Sequence, residues 1–248
     1  MTAEELARYR RHIQLEPIGE IGQRRISAAR VLLIGLGGLG SPASMYLASA
    51  GIGTLALADF DRVELSNLQR QIVHRTADID RNKVDSARDS LHAINPHVEI
   101  ETFPWAIDGE DLATQIDQAD VVVDASDNFE TRFALNRLCH AAKRPLVSGA
   151  AVRMEGQINV FDFRQAHSPC YRCIFDEAGE PEEPCALVGV FAPLLGIIGS
   201  VQAAEALKLI MNIGEPLVGR MIVLDAMTMT WRTLKVRQDE ACPICAST

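Results

Sequence analysis

The chain is short of positive charge: 24 Lys and Arg stand against 33 Asp and Glu, for a net charge of −9 over 248 residues. That excludes a general nucleic-acid binder, because neutralising phosphates takes a basic face. Aromatic residues are scarce at 5%, yet 48% hydrophobic and 23% charged residues describe an ordinary globular protein and give no sign of disorder. The opening MTAEELARYRRHIQL has no apolar core of the signal-peptide kind, which leads to the expectation of a cytoplasmic protein. An uninterrupted apolar run of bilayer length is also missing. Ala192 to Met211 comes nearest, but Gln202, Glu205 and Lys208 would be costly in lipid, so it reads as a buried core helix with no membrane partner. There is no internal repeat and no low-complexity tract.

What is present is organised around Val31 to Asp59. An apolar β-branched run (Val31 to Ile34) leads into Gly35, Gly37, Gly38 and Gly40, then a small-residue stretch of helical length ending at Gly51. A second apolar run, Thr54 to Ala58, ends in Asp59, 24 residues past Gly35. This is strand, tight turn, helix, strand and terminal acid. The turn lets backbone N–H groups approach phosphate, the helix N-terminus favours anions, and the acid can accept from ribose hydroxyls. The pattern predicts a nucleotide site without naming the nucleotide.

The rest of the chain extends the same architecture. Residues 3 to 13 read as one amphipathic helix, with Leu6, Tyr9, Arg10 and Ile13 on one side, and Glu20 to Ala28 as a second. The segment FDRVELSNLQRQIVH after Asp59 reads as a loop over the C-terminal edge of the sheet, pinned by Leu65, Leu68 and Ile72. It would concentrate Asp61, Ser66, Asn67, Arg70 and Gln71 where ligands of open α/β sheets bind. Asp80 is the expected N-cap of a helix from Arg81 to Ile94. Lys83 in its first turn opposes the helix dipole, which makes sense if it faces an anion, although a solvated lysine costs little. The run DVVVD ending at Asp124 reads as a buried parallel strand, followed by a helix from Asn128 to about Ala142. Asp127, with Glu130 three residues on, is either a helix cap or a residue on the ligand side of the sheet. Asp124 is either on that edge or a buried strand-end acid.

After Pro145 to Ala150 the alternation of strand and helix stops, and Glu155 to Phe163, Gly219 to Ala226 and Thr230 to Val236 read as antiparallel strands. The expected fold is therefore α/β: a Rossmann-like sheet with helices on both faces, continued by a mixed or antiparallel C-terminal half. One domain spans 1–248, softly divided into 1–150 and 151–248.

Four of six cysteines form two C-x-x-C pairs, Cys170 with Cys173 and Cys242 with Cys245. Two such pairs complete a tetrathiolate zinc site with no open catalytic position, and a reducing setting disfavours the rival disulfides. Cys139 falls within a helix and reads as packing. Cys185 follows the acidic, proline-containing EAGEPEEP, where an exposed thiol is either a nucleophile or inert.

GLGGLG, LADFD, SNLQRQ, Lys83, DASDN, both C-x-x-C pairs and the N-terminal RYRRHI, taken together and in this order, resemble the MoeB/ThiF family of ubiquitin-activating-like adenylyltransferases. VSGAAVRMEGQI and LDAMT look closer to its MoeB branch than to its ThiF branch. The resemblance covers nearly the whole chain. It implies an enzyme that uses ATP and magnesium to adenylate the C-terminal Gly-Gly carboxylate of a small ubiquitin-like sulfur carrier, MoaD-like or ThiS-like. By motif, Gly38 would contact the nucleotide and Asp59 its ribose, while Ser66, Asn67, Arg70 and Lys83 would hold phosphates. Asp61, Leu68, Gln69 and Asn128 would complete the site, and Asp127 would engage magnesium. Arg11 would reach into the site of a partner subunit, implying a homodimer; the usual glutamine after it is His12 here. Cys185 matches the position of a possible thioester or sulfur-transfer cysteine, and a desulfurase or rhodanese would be the sulfur donor.

Two readings compete from outside this one. A nicotinamide-dependent oxidoreductase would explain the glycine turn, though not Arg70, Lys83 and Asp127 or the cysteine pairs. A non-catalytic carrier-binding protein would not need the full set of polar residues.

Overall fold

The computed structural model describes residues 1–177 and 189–246, so Cys185 lies outside the described residues. Strands β1 (Arg30–Ile34), β2 (Thr54–Ala58), β3 (Glu99–Phe103), β4 (Val121–Asp124), β5 (Leu146–Val152), β6 (Glu155–Phe161), β7 (Arg220–Asp225) and β8 (Thr230–Lys235) form one eight-stranded sheet in the order 3-2-1-4-5-6-7-8. The pairs from β3 to β5 are parallel, and those from β5 to β8 antiparallel. The sheet is continuous across residue 150, inside β5.

Helices α1 (Ala3–Arg8), α2 (Arg10–Ile13), α3 (Gly19–Ala28), α4 (Gly40–Ala50), α5 (Lys83–Ile94), α6 (Gly109–Gln118), α7 (Phe129–Ala141) and α8 (Ala192–Met211), with short 3-10 turns at Leu65–Asn67, Thr76–Asp78 and Tyr171–Cys173, complete the described elements. Strand alternation sorts the core into two layers. Val31, Leu33, Leu55, Leu57, Val121 and Val123 face one cluster with α4, α5 and α8. Leu32, Ile34, Ala56, Ala58 and Val122 face the other, with α6, α7 and the cysteine region. Both faces are covered, which is why these strands read as continuous apolar runs.

Helix α8 is long and apolar enough to cross a membrane by length and composition. In this fold it packs on α4, β5 and β6. Gln202 and Glu205 are buried there: Gln202 Nε2 donates to the Asp124 carbonyl at 2.6 Å, and Glu205 accepts from the Leu217 N–H at 2.9 Å and pairs with the half-buried Lys208.

Local expectations change in four places. The N-terminal helix is broken at Tyr9, which is buried and receives a hydrogen bond on its hydroxyl from Asn95 Nδ2 at 2.9 Å, whereas Leu6 is exposed. Asp80 is not a cap: it is left-handed (φ +72°), its N–H goes to the Val63 carbonyl, and α5 starts at Lys83 after Asn82. The cap of α7 is Asn128, whose Oδ1 accepts from the Thr131 N–H at 2.9 Å, and not Asp127. In the loop after β2, Leu65 and Ile72 are exposed, and it is Val63, Val73, Gln71 and His74 that are buried. Apolar type alone did not distinguish the anchors because the buried polar pair finds hydrogen bonds.

Candidate active site

In the strand order 2-1-4 the chain leaves β1 in one direction and returns on its other side, so a crevice opens beyond the C-terminal ends of β1 and β4. Gly35 makes the turn out of β1 at φ +90°, where a side chain would run into the Ala125 carbonyl. Gly40 lets α4 start against that turn, since a Cβ there would meet the Gly35 carbonyl. The result is a cleft of about 250 Å³.

Of the residues expected to bind a nucleotide, Gly38, Asp59, Asp61, Arg70, Lys83, Asp127 and Asn128 line this cleft. They arrive from the glycine turn, the end of β2, the following loop, the first residue of α5 and the loop after β4. Ser66, Asn67, Leu68 and Gln69 are not among its lining. Ser66 and Asn67 instead build the loop: the Ser66 carbonyl receives Arg70 Nη1 at 3.1 Å, and Asn67 Oδ1 receives Gln71 Nε2 at 2.9 Å. Arg11 is exposed on α2, away from the lining, and donates to Gln14 Oε1.

The centre of the cleft is an acid–base cluster. Asp59 accepts from the Leu36 N–H at 2.7 Å and the Asp61 N–H at 2.9 Å. Lys83 Nζ lies 2.7 Å from Asp61 and 3.9 Å from Asp59. Burial pushes the Asp59 carboxyl above its ordinary value, with Lys83 and the backbone donors opposing. Asp127 is exposed and, with Asn128 serving as cap, its carboxylate has no capping duty. Asp124 is the buried strand-end acid: it accepts from Ser126 Oγ at 2.6 Å and Ser148 Oγ at 2.7 Å, and so fastens the loop that carries Asp127.

The cleft also holds residues that sequence patterns had not singled out. Phe60 and Trp105 are exposed aromatics on its rim, with Trp105 edge-on to Phe103 at 5.7 Å. The available signal was an aromatic just beyond the end of β2 and another beyond β3. Arg132, buried one turn into α7, donates to the Ser126 carbonyl at 3.0 Å and lies 5.8 Å over the Phe129 ring. Gln71, which the sequence did place at this edge, also lines the cleft, and its Oε1 is buried with no hydrogen-bond partner among the described residues. A turn with approachable amides and the cations Arg70 and Lys83 on its wall fit a polyphosphate ligand.

The cysteine cluster stands apart from the cleft. The Sγ atoms of Cys170, Cys173, Cys242 and Cys245 all lie within 4.8 Å of one another, with three of the separations 3.3, 3.6 and 3.8 Å. Tetrahedral zinc with bonds of about 2.3 Å requires sulfurs about 3.8 Å apart, so the cluster is compatible with zinc. Hydrogen bonding from Cys170 pulls the Cys173 thiol down to about 5, and the same contact pushes Cys170 up. Burial raises Cys245 to about 12. Cys139, buried in α7, is raised by burial and inert.

Comparison with known proteins follows the same lines. The ThiF family model matches residues 9–244. The chain is 48% identical over 245 residues to molybdopterin-synthase adenylyltransferase of Escherichia coli (strain K12), covering 99% of this chain and 98% of that protein. It is 42% identical over 245 residues to the sulfur carrier protein ThiS adenylyltransferase of the same organism, covering 99% and 97%. Among solved structures, that of PaaA superposes with a TM-score of 0.83 at 26% identity, over 96% of this chain and 76% of that one.

Proposed function

This chain belongs to the ThiF family, and from that premise we propose that it adenylates the C-terminal Gly-Gly carboxylate of a small ubiquitin-like sulfur carrier, of the MoaD-like kind, at the expense of ATP. The observation that carries this reading is the meeting of the glycine turn, Asp59, Arg70, Lys83 and Asp127 in one cleft at the switch point of the sheet. A carboxylate oxygen attacks the α-phosphorus, the bond from that phosphorus to the bridging oxygen breaks, and pyrophosphate leaves with the electron pair. The attacking group belongs to the carrier, so the protein needs no nucleophile of its own. It needs alignment and cations where charge develops.

The residues take their roles accordingly. Backbone amides of the turn at Gly37 and Gly38 cradle phosphate, Asp59 accepts from ribose hydroxyls, and Arg70 and Lys83 hold phosphate oxygens. Ser66, Asn67, Leu68 and Gln69 shape the loop that presents Arg70. Asp127, exposed and free of capping, would hold magnesium, which supplies charge neutralisation on the phosphates. The four clustered cysteines would hold a structural zinc that ties the C-terminus to the body; a reducing, cytoplasmic setting belongs to this proposal because the thiols must stay reduced. The parallel half, 1–150, serves ATP, and residues 151–248 serve the carrier and zinc. Arg11, exposed and off the cleft, acts on the site of a second copy, which makes the working unit a homodimer. A desulfurase or rhodanese then delivers sulfur to the activated carrier.

ATP–pyrophosphate exchange by the purified protein tests this reading, with MoaD-like and ThiS-like carriers and with versions lacking the terminal Gly-Gly. Exchange that requires the intact terminus of the MoaD-like carrier is expected. Exchange only with the ThiS-like carrier would reassign the pathway, and exchange with neither would remove the proposed reaction for these carriers.

A further inference from the structure

His74 lies at the end of the loop after β2 and is 5% exposed. Its ring is engaged at both nitrogens: Nε2 is 3.1 Å from the Leu36 carbonyl oxygen, and Nδ1 is 2.9 Å from Ser86 Oγ. A carbonyl only accepts, so Nε2 carries the proton, and Nδ1 then receives the Ser86 hydroxyl. Burial holds the imidazole below its ordinary value, with Lys83 acting in the same direction and Asp78 and the Leu36 contact against it.

The two partners belong to the two halves of the cleft. Leu36 stands between Gly35 and Gly37, and its own N–H is held by Asp59. In a trans peptide the carbonyl of one residue and the N–H of the next point in opposite directions. Fixing the Leu36 carbonyl on His74 therefore fixes where the Gly37 N–H points, and Gly37 lines the cleft. Gly37 itself would offer little resistance to rotation of that peptide. Ser86, on the other side, lies one turn along α5 from Lys83 on the same helix face.

We propose that His74 is a positioning residue: a neutral strut that ties the glycine turn to the helix bearing Lys83, and so sets the Gly37 amide and the Lys83 ammonium for the same phosphate chain. The inference rests on the proposed function for the identity of the ligand. It goes beyond that reading in giving the cleft's two phosphate-binding halves one shared, buried support.

The test is ATP binding by calorimetry to wild type, His74→Ala, His74→Gln and Ser86→Ala, alongside thermal melting of each. His74→Ala weakens ATP about tenfold, the scale of one buried hydrogen bond with its consequences for the amide it orients. His74→Gln, which restores an N–H donor, recovers most of this loss, and Ser86→Ala lies between. Long-range 15N–1H spectra of the wild-type ring show the neutral Nε2–H tautomer. A lowered melting temperature with unchanged ATP affinity of the folded protein would reduce His74 to a packing residue. A glutamine no better than alanine, or an Nδ1–H tautomer, would also overturn the strut. Should His74→Ala not fold, the glutamine and serine variants and the spectra still decide. If wild type binds ATP but adenylates no carrier, the function proposal fails and the strut is still tested.

Discussion

Lys83 Nζ sits 2.7 Å from Asp61 Oδ2 with its own side chain only 6% exposed, against 53% for Asp61. The lysine is thus nearly withdrawn from solvent while its closest carboxylate can swing away. A phosphate entering the cleft, as proposed, would compete with an exposed acid for a buried cation, which favours exchange of partners over rupture of a buried pair.

Lys83→Met is expected to weaken ATP binding by tenfold or more, read by calorimetry, because charge-assisted contacts to phosphate are lost. It also leaves Asp59 buried without its cation, so that carboxyl rises further above its ordinary range. A carboxyl with a raised native value binds its proton more tightly folded than unfolded, so protonation favours the native state. The stability deficit of the variant relative to wild type is therefore greatest at neutral pH and shrinks as pH falls through the native Asp59 value. Urea denaturation at pH 7 and pH 5 measures both.

Asp127 and Asn128 are neighbours with separable duties. Asp127→Ala should leave the melting temperature within a degree or two and abolish pyrophosphate exchange. Asn128→Ala removes the side-chain oxygen that accepts from the Thr131 N–H and should cost about 1 kcal/mol of stability. Equal destabilisation by the two substitutions would return Asp127 to the helix start.

The cysteine cluster predicts one zinc per chain by elemental analysis. Cys242→Ser, or chelation, should lower the melting temperature by about 5 °C or more, since a structural metal contributes directly to folding. Full stability of a metal-free preparation would make the four thiols a bare packing cluster.

Arg11→Ala is expected to preserve folding and reduce exchange by roughly 10³-fold, the scale of an arginine finger in phosphoryl chemistry. Mixing it with Asp127→Ala subunits should restore activity to hybrid dimers, where one intact cleft meets one intact Arg11. Absence of complementation, with hybrids demonstrably formed, would place Arg11 outside the partner's site.

Much of this molecule was legible in its residues in order. Val31 to Asp59 folds as the strand, turn, helix and strand its periods and glycines required, because every constraint there is local. The cysteine pairs came together because two short bites with metal-ligand spacing have one natural arrangement. The change at residue 150 from alternating strand and helix to consecutive strands appears as the change from parallel to antiparallel pairing at β5.

Other features depend on partners far away in the chain. Tyr9 breaks its helix to reach Asn95, and Asp80 turns left-handed while binding Val63. The surface loop buries His74, a polar residue made buriable by hydrogen bonds to the distant Leu36 and Ser86, while Leu65 and Ile72 face outward. Nor could sequence alone bring Phe60, Trp105 and Arg132 to one cleft. The sequence by itself determined the strand–helix alternation, the glycine turn and the cysteine pairs, since spacing along the chain sets those. The tertiary structure decided that neither Asp80 nor Asp127 caps a helix, that Asp124 supports its loop and that Asp59, Asp61 and Asp127 line the cleft, because burial and hydrogen-bond partners exist only once separate strands and helices meet.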